Sequence, residues 1–274
     1  MSTLVTDKNL TSQQMTEAQR AIIDEQLGLY RTRRKITEYS RIPDTTKIPI
    51  EDPLYWFKVR DVVCIFVDMK GSTQLSATTH DNGTAGAYQL FTGTAVRLFH
   101  EMDARYIDVR GDGVFALYNY DEAYKAIAAA VSFKTFADLS FAPALKEKTG
   151  LDIGAHIGID QKTVLVRKIG LKTHADRSDR QNEVWAGKPV NMASKLAAMG
   201  ESGELRVSDR YFKNITDRHV RKSCGCNGGS VDLWEEVDVS ADPKFDFDKA
   251  YLLKSAWCRV HGKEFYENIV ALDN

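Results

Sequence analysis

Six consecutive apolar residues, Val62–Val67, stop abruptly at Asp68-Met69-Lys70-Gly71-Ser72-Thr73. A strand with no polar alternation is buried on both faces, so the sheet that holds it needs structure packed above and below. The segment YIDVRGDGVFALY at 106–118 is built similarly. Two strand-like runs meet there through Arg110-Gly111-Asp112-Gly113, a strong hairpin signal. Asp68 and Asp112 thus each fall where a hydrophobic strand gives way to a glycine-containing turn. Two carboxylates brought to adjacent strand ends make a hard, oxygen-only donor set suited to Mg²⁺ or Mn²⁺. Paired ions of that kind stabilise both the attacking and the leaving oxygen in displacement at phosphorus. Singly, each motif has a plainer explanation, since Asp68 can cap a turn and Gly-Asp-Gly is good hairpin chemistry. Together they point to metal-assisted phosphoryl chemistry.

Other features narrow the class. The 274 residues carry a formal net charge of −1, which gives no basic field for nucleic acid. The longest apolar runs, around Val62–Val67 and Ala126–Val131, are too short to span a bilayer. The first residues, MSTLVTDKNLTSQQ, lack the basic and apolar segments of a signal peptide. A cytoplasmic protein is expected, whose four cysteines serve as thiols or metal ligands rather than disulfides.

Three segments are expected: an N-terminal helical and extended arm over 1–55, a catalytic domain over 56–240 and a C-terminal extension over 241–274. In the arm, Thr11 to about Lys35 has helical spacing at Ile22, Ile23, Leu27 and Tyr30, and no strand-like run is evident. The basic cluster Arg31, Arg33, Arg34 and Lys35 reads as a solvated face or a phosphate contact. Helices are expected from Ser72, over Ala85–Met102 and over Asp121–Leu139. Leu151–Ile159 and Thr163–Ile169 read as a hairpin turning at Asp160-Gln161-Lys162. Residues 171–184 read as a polar loop, and Pro189–Met199 as a helix begun by proline. Strands are expected near Glu204–Val207, Val220–Ser223 and Val231–Val237. The order of elements implies an α+β, ferredoxin-like core around a mixed or antiparallel sheet.

With VNMASKLAAMG at 190–200 added, FVDMKGST and RGDG resemble the class III nucleotidyl cyclases over about residues 60–240. The resemblance implies conversion of a nucleoside triphosphate to a 3′,5′-cyclic monophosphate and pyrophosphate. It makes Asp68 and Asp112 the ligands of two Mg²⁺ or Mn²⁺ ions, with the Met69 carbonyl assisting. It further implies a head-to-tail homodimer with active sites at the interface, one subunit giving the metals and the other Asn191. Asn191 would orient the ribose and Lys195, four residues on and on the same helix face, would contact phosphate in the transition state. Purine cyclases usually carry arginine at that later position, and lysine keeps the charge without the planar fork. Gly71, Ser72 and Thr73 are expected at the phosphates, since Gly71 permits close backbone approach and Ser72 is placed to cap a helix start. Arg180, with Arg177 and Lys188, is a further triphosphate candidate.

Base selection departs from the adenylate pattern. Where adenylate cyclases place an adenine-reading lysine this chain has Asp108, and the aspartate that would partner it has no assignable equivalent within Glu183–Gly187. The stretch RSDRQNEVWAGKPVNMASKLAAMG is similar to the pyrimidine cyclases of the bacterial Pycsar anti-phage system. That resemblance favours UTP as substrate over CTP, and both over ATP or GTP. Asp108 would accept a hydrogen bond from either pyrimidine, and Trp185 or Tyr106 would fill the space a purine needs; simple packing is the plainer role for Trp185. A diguanylate-cyclase-like enzyme is disfavoured because its Gly-Gly-Asp/Glu-Glu-Phe signature is lacking. A catalytically silent regulatory dimer is disfavoured because both metal aspartates and Asn191 are kept.

Cys224-Gly225-Cys226 and Cys258-Arg259-Val260-His261 stand apart from these motifs. Three sulfurs and one nitrogen suit a closed, tetrahedral structural zinc, although Cys-x-Cys is tighter than the usual knuckle spacing. Ordinary buried thiols with a surface histidine are the alternative. Cys64, inside the first apolar strand, is a packing residue.

Overall fold

The computed structural model describes residues 14–50, 52–171, 181–226 and 228–273. The elements run α1 (Glu17–Arg31), β1 (Lys35–Tyr39), β2 (Tyr55–Lys70), α2 (Ser72–Thr78), α3 (Asp81–Glu101), β3 (Tyr106–Arg110), β4 (Gly113–Tyr118), α4 (Ala123–Phe136) and α5 (Ala142–Thr149). They continue as β5 (Gly154–Gly170), β6 (Gln181–Gly187), α6 (Lys188–Ala198), β7 (Glu204–Ser208), α7 (Asp209–Phe212), α8 (Arg218–Arg221), β8 (Trp234–Asp238), β9 (Lys249–Leu253) and α9 (Gly262–Val270).

One sheet carries the fold, in the order β3-β4-β2-β5-β7-β9-β8, with β1 added to β2 and β6 added to β5. Each of its first four strands runs antiparallel to its neighbours among them. With α3 between β2 and β3, and α4 and α5 between β4 and β5, they make the βαββαβ unit of a ferredoxin-like α+β core. The expected fold class is therefore the observed one.

Strand alternation assigns the two faces. Val63, Ile65, Val67 and Met69 enter the larger core, where Phe91, Phe99, Phe133 and Phe141 cover them. Phe91 meets Phe133 edge-on at 5.1 Å, a geometry that aromatic rings favour, and Phe141 at a tilt at 5.2 Å. Cys64 and Phe66 turn to the opposite face, with Phe57, Leu117, Val164, Val166, Trp185 and Ala193 of α6. A bulge between Val59 and Val62, with Asp61 at φ 49°, keeps Val59, Val62 and Cys64 on that same face. Because β2 is covered on both sides, its apolar run needs no alternation.

Gly158 sets the seat of α6. A Cβ there would lie 2.0 Å from the Ala193 carbonyl oxygen and 2.6 Å from the Ala197 nitrogen. Only glycine lets helix backbone rest directly on β5.

Several elements differ from the sequence reading. The hairpin expected at Asp160-Gln161-Lys162 is a continuous strand, β5. Buried Asp160 takes Arg210 Nε at 2.7 Å, and Gln161 bonds the Asp61 carbonyl at 2.9 Å and Asn214 at 2.7 Å. Polar residues that look like a turn are here satisfied inside the sheet. Lys35–Tyr39 forms a strand parallel to Tyr55–Val59 although all five residues are exposed, so burial leaves no periodic trace. The helix of the arm is shorter than expected, Glu17–Arg31 within a Thr16–Gln19 capping box. Of the expected loop 171–184, residues 172–180 fall outside the described set, and residues 181–184 begin β6. Val220 belongs to the short helix α8 rather than to a strand. Residues 249–253, in the segment expected as an extension, form β9 between β7 and β8.

Candidate active site

Asp68 stands at the end of β2, on the face of Cys64 and Phe66. The register Val67↔Val114 brings it opposite the β3–β4 turn. A Cβ on Gly113 would come within 3.3 Å of Asp68 Oδ1 and 2.9 Å of the Phe66 ring, so the turn closes directly over the carboxylate. Burial raises the Asp68 carboxyl to about 6, and the charge of Asp112 adds to the rise, against a backbone hydrogen bond from Met69. A half-buried carboxylate facing the charge of a second one is a site that a cation relieves. The Met69 side chain is buried in the larger core, so this residue has only backbone to offer a ligand. The set is oxygen throughout, which fits Mg²⁺ or Mn²⁺.

Gly71 follows at φ 89° and is itself the cap of α2. Ser72 is the first helical residue and its hydroxyl makes no cap, contrary to the expectation from sequence. The backbone N–H groups of Ser72 and Thr73 belong to the first turn, where intrahelical acceptors are lacking. Two residues beyond Asp68, Lys70 is paired with Glu201.

Asp108 and Tyr106 share one side of β3 by alternation. Arg110 Nε donates to Asp108 Oδ2 at 2.7 Å. The Tyr106 ring lies 4.8 Å from Trp185 and 5.8 Å from Phe115, and its hydroxyl is 3.4 Å from Glu183 Oε2. Burial, then the charges of Asp108 and Glu183, push the Tyr106 hydroxyl up to about 12, so it remains a donor at neutral pH. Lys168 Nζ sits 3.7 Å from Glu183 Oε1. Asp108, Tyr106, Trp185 and Glu183 are thus gathered into one patch. Trp185 is buried there against the Tyr106 ring, in keeping with the packing role that the sequence offered as the plainer alternative to filling a purine's space.

Asn191 is exposed on α6. One turn later Lys195 Nζ donates to the Lys244 carbonyl at 2.8 Å. Asn191 and Lys195 ride on the helix seated at Gly158, over the face that carries Asp68 and Trp185. At the start of α6, Lys188 reaches Asp246 at 2.8 Å, which Lys162 and Arg210 also reach at 3.1 and 2.9 Å. Lys188 is therefore occupied in an ion-pair network. Arg177 and Arg180 lie outside the described residues. Glu183 and Arg110 received no assigned role from sequence, whereas Tyr106 was named there as a filler of the space a purine needs. The alternation Glu183–Trp185 would have exposed Glu183, had residues 181–187 been read as a strand. Cys224, Cys226, Cys258 and His261 lie at the other end of the sheet order, in the segments flanking β8 and β9.

Residues 55–230 match the family described as the adenylate and guanylate cyclase catalytic domain. A uridylate cyclase of Micromonospora echinofusca is 34% identical over 227 residues, covering 81% of this chain and 73% of that protein. A uridylate cyclase of Propioniciclava tarda is 36% identical over 230 residues, with 82% and 73% covered. Among solved structures, the guanylate cyclase domain of RhGC from Catenaria anguillulae in complex with GTP has TM-score 0.57 at 16% identity, covering 73% of this chain and 98% of that one. A class III adenylyl cyclase-like ATP-binding protein from Pseudomonas aeruginosa has TM-score 0.61 at 17% identity, covering 94% and 49%; these structural likenesses bear on the fold alone. The chain belongs to the adenylate and guanylate cyclase catalytic domain family, the class III nucleotidyl cyclases. It is a nucleotidyl cyclase, in a family whose fold generally uses two divalent ions. No helix among the described residues is long and apolar enough to cross a membrane.

Proposed function

We propose that the chain is a pyrimidine nucleotide cyclase, converting UTP to 3′,5′-cyclic UMP and pyrophosphate. The observation that carries the choice of base is the patch of Tyr106, Asp108, Glu183 and Trp185. Two ring faces 4.8 Å apart at their centroids narrow the space for a base, and two carboxylates beside them accept hydrogen bonds. A Tyr106 hydroxyl that stays protonated supplies a donor. Uracil presents N3–H between two carbonyls, which this mixture of acceptors and donor can read. The uridylate cyclases at 34% and 36% identity support the same choice.

In the reaction, the ribose 3′-oxygen bonds to the α-phosphorus as the bond from that phosphorus to the β-bridging oxygen breaks. The 3′-hydroxyl proton leaves to solvent and pyrophosphate departs. Asp68, Asp112 and the Met69 carbonyl would hold two Mg²⁺ or Mn²⁺ ions, which when bound acidify the 3′-hydroxyl and neutralise the triphosphate. Backbone N–H groups from Gly71 to Thr73 receive phosphate oxygens. Asn191 orients the ribose and Lys195 meets the charge that grows on the phosphates, after exchanging its bond to the Lys244 carbonyl. The two halves of the site come from different subunits of a head-to-tail homodimer, Asp68 and Asp112 from one and Asn191 and Lys195 from its partner. By its likeness to the Pycsar cyclases, the enzyme works in the cytoplasm as a messenger synthase in anti-phage defence. The segment 56–240 is the main body of its catalytic unit, to whose sheet the arm 1–55 adds β1 and the extension 241–274 adds β9.

The test is incubation with UTP, CTP, ATP and GTP separately, with Mn²⁺, reading cyclic product and pyrophosphate. UTP is expected to lead. A lead for CTP transfers the reading to cyclic CMP, since Asp108 and Glu183 equally suit the cytosine amine. A lead for ATP or GTP overturns the pyrimidine assignment.

A further inference from the structure

Cys224, Cys226, Cys258 and His261 offer four ligand atoms that all lie within 4.8 Å of one another. Sulfur to sulfur, Cys226 is 3.3 Å from Cys224 and 3.7 Å from Cys258, and it is 2.9 Å from His261 Nδ1. Zinc–sulfur bonds of about 2.3 Å in a tetrahedron set sulfurs about 3.8 Å apart. A disulfide needs about 2.05 Å. The observed separations are those of thiols around a shared centre.

Packing does not account for the cluster. Free cysteine is ordinarily a buried small hydrophobe, as Cys64 is. Here Cys226 is exposed and Cys224 and Cys258 are partly exposed. The backbone is arranged for ligation instead. Val260 N–H, at 3.5 Å, and His261 N–H both point at Cys258 Sγ, the kind of support a metal-bound thiolate receives. The Cys224–Cys226 loop is closed by Ser223 N–H to the Val231 carbonyl at 2.8 Å and Val231 N–H to Ser223 Oγ at 3.0 Å. Gly225 takes φ 82° within that loop, a conformation that favours glycine.

What surrounds the cluster says what it is for. A cavity of about 540 Å³ lies against it, lined among others by Ile127, Val131, Val220, Trp234, Phe265 and Ile269. The cluster thus stands at the edge of an apolar hollow between α4, α8 and α9.

We propose that Cys224, Cys226, Cys258 and His261 bind one structural Zn²⁺ that clamps the turn carrying Cys224 and Cys226 to the N-terminus of α9. Three thiols lose their protons on binding and the imidazole binds through Nδ1. Four protein ligands leave no open position, so the ion takes no part in turnover.

The test begins with full-length protein purified without added metal. Zinc near one per chain is expected by elemental analysis. Cys226→Ser and His261→Ala should each lower that to less than about a fifth. In the parent, a strong zinc chelator should expose three thiols to a thiol reagent and lower Tm by more than about 5 °C, with both reversed by added zinc. Replacement by Co²⁺ should give the visible ligand-field bands of a tetrahedral thiolate site. Absence of zinc with the three thiols freely reactive, a disulfide among them, or undiminished zinc in both variants would each overturn the proposal. The chelator and cobalt measurements use the parent chain, so they hold even if a variant fails to fold.

Discussion

The two ends of the sheet hold donor sets of opposite character. At β2 and the β3–β4 turn, two carboxylates, both partly exposed, stand where strands give way to turns. Around β8 and β9, three sulfurs and a nitrogen come from two loops and can close completely around an ion. Hard, incomplete sets serve chemistry, because substrate must complete them; soft, complete sets serve shape. On the two proposals made above, the protein separates what makes it react from what holds its far corner together.

The sharpest way to break that contrast is to remove one carboxylate. Asp68→Ala and Asp112→Ala are each expected to lower turnover at least about 10³-fold, while Tm stays put or rises slightly because a like-charge pair is relieved. Normal turnover in either variant removes the metal pair from the mechanism. Lys195→Ala should cost about 10²-fold in kcat with a smaller change in KM, and Lys195→Arg should restore most of it; steady-state kinetics on the four triphosphates decides.

A stability effect should come from the seat of α6. Gly158→Ala forces a Cβ into backbone atoms, so about 1–3 kcal/mol of stability and part of kcat should be lost together in denaturant melts and turnover. Loss of stability with kcat untouched would show that the height of α6 does not matter to catalysis.

The smallest effect is expected at Asp246. Burial works against its charge, yet Arg210, Lys188 and Lys162 hold its carboxyl well below the usual range. A carboxyl depressed on folding stabilises above its unfolded pKa of about 4 and loses that contribution as pH falls toward its folded value. Asp246→Asn should therefore melt below the parent at pH 7, with the gap narrowing below about pH 4. A gap constant with pH would mean that the network adds nothing to stability.

The β2 apolar run, the Gly-Asp-Gly turn and the proline-started α6 were legible because each rests on local chemistry: burial on two faces, backbone geometry, a missing N–H. What escaped was long-range. Asp160 and Gln161 look like turn residues until Arg210 and Asn214 arrive from 50 and 53 positions away. β1 is exposed throughout and β9 joins the sheet late, so neither announces itself by hydrophobic period. At the site, Asp68 and Asp112 could be read because each marks a strand end. Glu183 could not, because its meaning depends on Tyr106 standing across the sheet 77 positions away.

Gly158 has a broader consequence for how such a chain can diversify. With no side chain between α6 and β5, the helix is mounted at a height that its solvent-facing residues do not influence. Positions such as 191 and 195 can be exchanged without moving the mount, and a change at 158 moves both at once. Identity at the helix surface and elevation of the helix are separate dials, and a single hydrogen atom keeps them apart.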